Sequence, residues 1–191
     1  MKHQRTAAVA MILVAAMLVP AAGCRRQAKW KAPEQPAGQA QAELPKVTID
    51  VGGTSLEVEV ADTDTSRQRG YMYREKPEKS GMLFVYPQEQ MMSYIMRNVK
   101  FDIDIAFITA DGRLDQIERM KAFMVSPPGG NGKDVRTWDS LRPVQYALEV
   151  PANWFTEHRV TVGAQVKIPD EVLVKAKAAE AEKNSKAVGK Q

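Results

Sequence analysis

Between Arg69 and Ile105 the chain reads Arg69-Gly70-Tyr71-Met72-Tyr73-Arg74, then Gly81-Met82-Leu83-Phe84, then Tyr94-Ile95-Met96-Arg97-Asn98, then Asp102-Ile103-Asp104-Ile105. Charged and amide side chains are set here among strongly apolar runs. Met82 to Tyr86 is continuously apolar and is stopped by Pro87, the pattern of a buried strand. Ser93 to Met96 is a second short run. Ile103 to Thr109 is the strongest strand of the chain, closed by the turn Ala110-Asp111-Gly112.

The flanks extend the same reading. Val47, Ile49 and Val51 alternate with polar residues, as do Leu56, Val58 and Val60, and Gly52-Gly53 lies between them. Glycine accepts the positive φ of a tight hairpin turn, so this segment predicts a β-hairpin. Asp62-Thr63-Asp64-Thr65-Ser66 is dense in helix N-cap residues and predicts a short helix over about 65–71, with Gly70 near its end. Downstream, Leu114, Ile117 and Met120 continue as a returning strand with some irregularity. Pro127-Pro128 and Gly129-Gly130-Asn131-Gly132 mark a loop, read as a flexible flap. Val144 to Val150 is another strand, Pro151 to His158 suits a short helix, and a turn at Gly163 precedes a last strand ending near Ile168. Many short strands at close spacing, with two small helices, predict a mainly β, mostly antiparallel sandwich or barrel.

Both ends differ from this body. Residues 1–24 have the plan of an export signal: Lys2 and Arg5 ahead of an apolar run from Ala7 to Val19, too short to span a bilayer. The run ends in Ala21-Ala22-Gly23-Cys24, which resembles a bacterial lipobox, with Ala21 where Leu is commonest. Cys24 is the only cysteine, which favours its lipidation and excludes an intrachain disulfide. Ordinary secretion, with cleavage after Ala21 or Ala22, is the alternative. Acyl chains would hold the protein to a lipid membrane. Arg26 in place of Asp, by resemblance to Gram-negative lipoproteins, implies the outer membrane, facing the periplasm. Residues 25–45, rich in Gln, Ala, Pro and Lys, read as a flexible tether, with Trp30 resting at the membrane interface. The folded domain is then 46–169. Residues 170–191 are an Ala/Lys/Glu tail whose apolar periodicity stops near Val174, predicting a frayed helix or disordered tail.

The quoted motifs carry a resemblance. The segment from about Val47 to Ile168 is similar to the DUF192 family, a domain of unknown function. The family's pattern runs R-G-L-M-x-R, G-M-L-F, F-W-M-K-N-T, P-L-D-I, D-G, L-E and G. Arg69 to Arg74 match the first motif with Tyr71 for Leu, and Gly81 to Phe84 match the second fully. Tyr94 to Val99 keep Met96 and Asn98 but lose the Trp and Thr, and Asp102 to Ile105 keep Asp104 without the Pro. Asp111-Gly112 and Leu148-Glu149 match. Asn153 stands where Gly is usual, and Asn is the next best residue for a left-handed backbone. The resemblance implies a compact β-sandwich or barrel of jelly-roll-like character. It carries no activity.

The polar motif residues are the site candidates. Arg69, Arg74, Asn98, Asp104 and Glu149, with Met96, would line one cleft that takes a small molecule or glycan. Arg74 would offer a donor fork, and Asp104 and Glu149 would accept hydrogen bonds or act as acid and base. A bracing role explains them equally: a buried charge must be paired, and an Arg74–Asp104 or Arg69–Glu149 bridge would do so. Asp102 and Asp104, two apart on a strand, are compatible with a carboxylate pair of a glycosidase, but the pattern is common by chance. The ten methionines suggest Cu(I) less than core filling. With His158 alone beyond the signal, a histidine metal site is excluded, and no metal or other cofactor is expected. The mild net charge of +4 is concentrated at the ends, which argues against nucleic acid as a partner. Three readings follow: a binding module near the envelope, a carboxylate-dependent enzyme acting on a saccharide or cell-wall substrate, and a structural or interaction protein of the envelope.

Overall fold

A computed structural model describes residues 38–75, 81–122 and 136–188. The export signal, Cys24, Trp30 and the Gly/Pro loop at 127–132 lie outside the described residues.

The body is mainly β, as predicted. Strands β1 (Lys46–Val51) and β2 (Thr54–Ala61) form the hairpin, with Gly52 and Gly53 at φ 61° and 89°. Thr63 caps α1 (Asp64–Arg69) by accepting from Ser66 N, while the Ser66 hydroxyl accepts from Thr63 N, so each satisfies a donor of the other. Then follow β3 (Gly81–Gln90), β4 (Ser93–Tyr94), β5 (Ile103–Ile108), β6 (Leu114–Met120), β7 (Trp138–Asp139), β8 (Val144–Pro151), α2 (Trp154–Glu157), β9 (Val166–Lys167) and α3 (Asp170–Val188). Seven strands make one sheet in the order β6-β5-β8-β3-β2-β1-β9, and β4 pairs with β7 separately. All pairs are antiparallel except β2–β3, which α1 and the turn after it connect as a parallel crossover.

The sheet curls until its two edges meet. Arg113, just ahead of β6, bridges to Gln165, just ahead of β9. Leu114 N donates to Ala164 O, Gly163 N to Leu114 O, and Val166 N to Gly112 O. Gly112 is required there. Its φ is 80°, and a Cβ would lie 2.5 Å from Val166 O.

Curling gives the sheet two unlike faces. The enclosed face draws on every strand of the sheet: Ile49, Val51, Leu56, Val58, Val60, Leu83, Val85, Ala106, Ile108, Leu114, Leu148, Val150 and Val166. Trp154, Phe155 and Val160 close one part of it, and Val172 and Ala176 of α3 another. The first two turns of α3 are therefore packed against the body, which the fading periodicity of the tail did not suggest. The outer face uses fewer strands and different residues. Met82, Phe84, Ile103, Ile105, Phe107, Met120 and Ala147 are covered by Tyr71, Met92, Met96, Val99 and Trp138.

Two further departures have local causes. β3 continues through Pro87 to Gln90, because its pairing with β8 shifts register between Val85 and Gln90 and no ladder donor is needed at the proline. The incoming chain is docked before the domain start placed at residue 46. Gln41 Nε2 donates to Ser66 O and Gly70 O, at 3.3 and 2.9 Å, and Leu44 N donates to Glu59.

Candidate functional site

The outer face carries a row of acids. Across the sheet, Glu59 stands opposite Met82, Met82 opposite Glu149, Glu149 opposite Ile105, and Ile105 opposite Glu118. Side chains alternate along a strand, so these five point the same way. The three acids meet different fates.

Glu59 is 1% exposed and fully engaged. Arg74 Nη1 and Nη2 donate to its two oxygens at 2.6 and 2.7 Å, and Leu44 N adds a third bond at 3.0 Å. Burial pushes the Glu59 carboxyl up, but the Arg74 hydrogen bonds and charge and the Leu44 N–H outweigh it and hold the group below its ordinary value. The Arg74 guanidinium also lies 5.3 Å from the Tyr71 ring centre. Glu118, half-buried, takes a short hydrogen bond from Gln116 Nε2, which also reaches Asp139 O.

Glu149 lies between them, 6% exposed, and among the described residues no hydrogen bond or ion pair reaches its carboxyl. Its position on the sheet is tightly fixed. A Cβ on Gly81 would lie 2.7 Å from Glu149 O, so β3 approaches β8 this closely only with glycine there. Burial alone pushes the carboxyl up to about 8. It therefore holds its proton at neutral pH. Two phenols answer to its charge. Tyr86 Oη and Tyr94 Oη are 3.5 Å apart, and both are raised, chiefly by burial, with the Glu149 charge adding to it. The Tyr94 ring packs edge-on to Phe84 and Phe107, at 5.2 and 5.9 Å, over the small Ala147 between them.

The remaining predicted residues are spread more widely. Asp104 alternates with Ile105 and so faces away from Glu149, towards α2. There Arg119 Nε makes a short hydrogen bond to it, Arg119 Nη2 reaches its other oxygen, and Asn153 N donates at 2.8 Å. Asn153 is left-handed at φ 75°, and its own Oδ1 accepts from Arg119 Nη2 at 2.7 Å. The expected bridges are thus corrected: Arg74 pairs with Glu59, Asp104 pairs with Arg119, and Glu149 receives neither arginine. Side-chain alternation fixes the faces, and no single cleft contains both Asp104 and Glu149. Asp102 accepts from Ala122 N, and its charge, like that of Asp104, acts on Arg119. Arg69 is half-buried in the last turn of α1. Asn98 braces a turn. It and Tyr73 both have positive φ, at 55° and 65°, and Tyr73 N donates to Asn98 O while Asn98 Nδ2 donates to Tyr73 Oη at 2.7 Å. A left-handed tyrosine is strained, and these paired bonds hold it.

Met96 is buried in the cover of the outer face with Met92, above Met82 and Met120, while Met91 is 60% exposed. His158 stacks on Trp154 at 4.3 Å at the surface end of α2. Among the described residues no group of three or more His, Cys, Asp or Glu is placed to hold a metal ion. Sequence reasoning missed Glu59, Arg119, Tyr86 and Tyr94. Glu59 alternates with Leu56, Val58 and Val60 in the pattern of a solvent-facing residue, and nothing local marks it as buried.

The comparisons with known proteins agree on the fold. The profile of the DUF192 family, described as "Uncharacterized ACR", matches residues 47–168, and the chain belongs to that family. A structure from Sinorhizobium meliloti, described as a "putative transcription regulator", is 26% identical. It superposes with a TM-score of 0.55 over 66% of this chain and 96% of its own. A protein of unknown function from Novosphingobium aromaticivorans is 24% identical, with a TM-score of 0.57 over 71% of this chain and 94% of its own. No curated protein matches the chain.

Proposed function

We propose, for this member of the DUF192 family, that it is a small-molecule- or glycan-binding module whose site lies on the outer face of the sheet at Glu149. The observation that carries the reading is a carboxyl 6% exposed with no partner among the described residues, in a structure that pairs Glu59 and Asp104 with arginines. Leaving a buried polar group unpaired is costly, and proteins keep such a group where a ligand completes it. The cover of Met92, Tyr94 and Met96 suits this role, since thioethers and aromatic edges adapt to varied apolar shapes. The site reading no longer includes Arg74 and Asp104, which brace the fold. The envelope setting is part of the same proposal: lipidation of Cys24 would hold the module on the outer membrane, within reach of periplasmic solutes and wall fragments.

A second reading has one observation of its own. A carboxyl raised to about 8 keeps a proton that a general acid donates, and Glu118 stands two strands away on the same face. An enzyme acting on a saccharide would use these two acids, and not Asp104.

A thermal-shift screen of the full chain beside Glu149→Gln, with sugars, muropeptides, carboxylates, amines, nucleotides and metals, tests both. Only ligands that favour the folded state raise its melting point. A compound that stabilises the parent and not the folded variant supports binding. Turnover of that compound, lost in Glu149→Gln, moves the reading to the enzyme. Equal shifts in both proteins place the ligand elsewhere and end the reading.

A further inference from the structure

Among the described residues the cations on the elements beside Glu149 are engaged elsewhere, and this bears on the ligand's chemistry. Its central row holds three acids, Glu59, Glu149 and Glu118. The cations nearest by element are already engaged. Both Arg74 Nη atoms serve Glu59. Arg67, beside β3, gives Nη1 to Asp62 O and Val85 O and Nη2 to Asp64, with its guanidinium over the Tyr86 ring. Arg119, on the strand that carries Glu118, turns to Asp104 on the opposite face. Among the described residues no cation pairs with Glu149. What flanks its carboxyl is apolar or aromatic: Met82 and Ile105 across the strands, and the rings of Tyr86 and Tyr94. Aromatic rings beside an unpaired acid attract a positive group twice, by charge and by the ring quadrupole.

Resting on the binding reading above, we infer that the ligand is an organic cation, an ammonium group on an apolar stem. It would pair with the Glu149 carboxylate, its stem lying against Met82, Ile105 and the Tyr94 ring. Glu149 holds a proton where the ligand's charge would go. Binding therefore exchanges the two: the Glu149 O–H bond breaks, the proton leaves to solvent, and the ammonium N–H groups donate to the carboxylate oxygens. Among the described residues the other titratable groups facing this carboxyl are Tyr86 and Tyr94, both raised by burial, with Glu59, held low by Arg74, and Glu118 further along the row. Glu149 thus carries the exchange.

The exchange fixes a sign that a neutral ligand reverses. Titrating butylammonium and choline into the full chain by calorimetry between pH 6 and pH 9 should show affinity rising about tenfold per pH unit below the Glu149 pKa and levelling above it. Butan-1-ol and glucose, in parallel, should bind at least about tenfold more weakly at pH 9. Glu149→Gln, checked for folding by circular dichroism, should abolish cation binding, whereas Glu57→Gln, at an exposed acid of β2, should retain its pH dependence. A neutral hydroxylic probe that binds more tightly than the amines, with affinity falling above pH 8, would overturn the cation and leave the binding reading standing. Cation binding that is flat with pH or survives in Glu149→Gln would also overturn it. No heat with any probe would overturn both.

Discussion

The two faces of the one curled sheet solve the same packing problem with different residues. The enclosed face is aliphatic on every strand apart from Tyr146 of β8, and its acid at the margin, Asp104, is bonded by Arg119 and by Asn153 N. The outer face sets methionine and aromatic side chains among its isoleucines and valines and holds three acids in a row, each treated differently. Aliphatic side chains in fixed rotamers specify one packing arrangement, whereas thioethers and ring edges tolerate several. The enclosed face is the one that determines the fold. The outer face is the one on which the binding proposal rests.

The sharpest attack on that contrast is Arg74→Ala, because it strikes the ion pair that holds Glu59 on the outer face. It leaves Glu59 buried and uncompensated, and the expected loss is about 3–5 kcal/mol in urea-induced unfolding. A loss below about 1 kcal/mol would show that the outer face tolerates unpaired acids generally, and Glu149 would lose its distinction. Next come paired core substitutions. Leu148→Ala on the enclosed face should cost about 2–5 kcal/mol, while Met96→Leu on the outer face should cost less than about 1.5 kcal/mol. Equal costs would erase the contrast in packing.

The third prediction uses pH. Glu149 rises from an ordinary carboxyl value to about 8 on folding, so between those values the folded chain binds the extra proton. Its contribution to stability is therefore full below the ordinary carboxyl range and is lost as pH rises towards 8, then constant. Glu59 has the opposite sign: its contribution is present above the ordinary range and lost as pH falls below it. Two acids on one face thus tilt stability in opposite directions. Glu149→Gln should remove the decline between about pH 5 and pH 8 and exceed the parent's melting temperature at pH 9, with the acid-side loss untouched. A variant that keeps the decline would assign it to another group. The smallest effect belongs to Arg119→Ala. Arg119 is about a third exposed, and solvent screens its pair with Asp104, so about 1 kcal/mol or less is expected by thermal denaturation.

Much of the fold was legible because local chemistry encodes it. Gly52-Gly53, the turn at Ala110-Asp111-Gly112, the runs that became β5 and β8, and left-handed Asn153 each follow from one residue's conformational preference. The parallel β2–β3 pair was not legible, since strand partners are chosen by the whole chain and no local signal separates parallel from antiparallel. The site was harder still. Residue types identified Arg74, Asp104 and Glu149 as special, but not who pairs with whom. Alternation in β2 reads Glu57 and Glu59 alike, yet only Glu57 meets solvent, because the turn carrying Tyr71 and Arg74 comes back over one of them.

The docking of the incoming chain has a mechanical consequence. Gln41 and Leu44 fasten the N-terminal segment to the turn at Gly70 and to Glu59, and Val60 N holds Pro45 O. A pull arriving along that segment would load Gln41 and the turn at Gly70 first, and then Leu44. From there it would pass through the Glu59 carboxylate into Arg74, across the outer face and away from the enclosed core. The same ion pair that stabilises the fold would then act as its strain gauge, and the face proposed to bind a ligand would also be the first to feel tension.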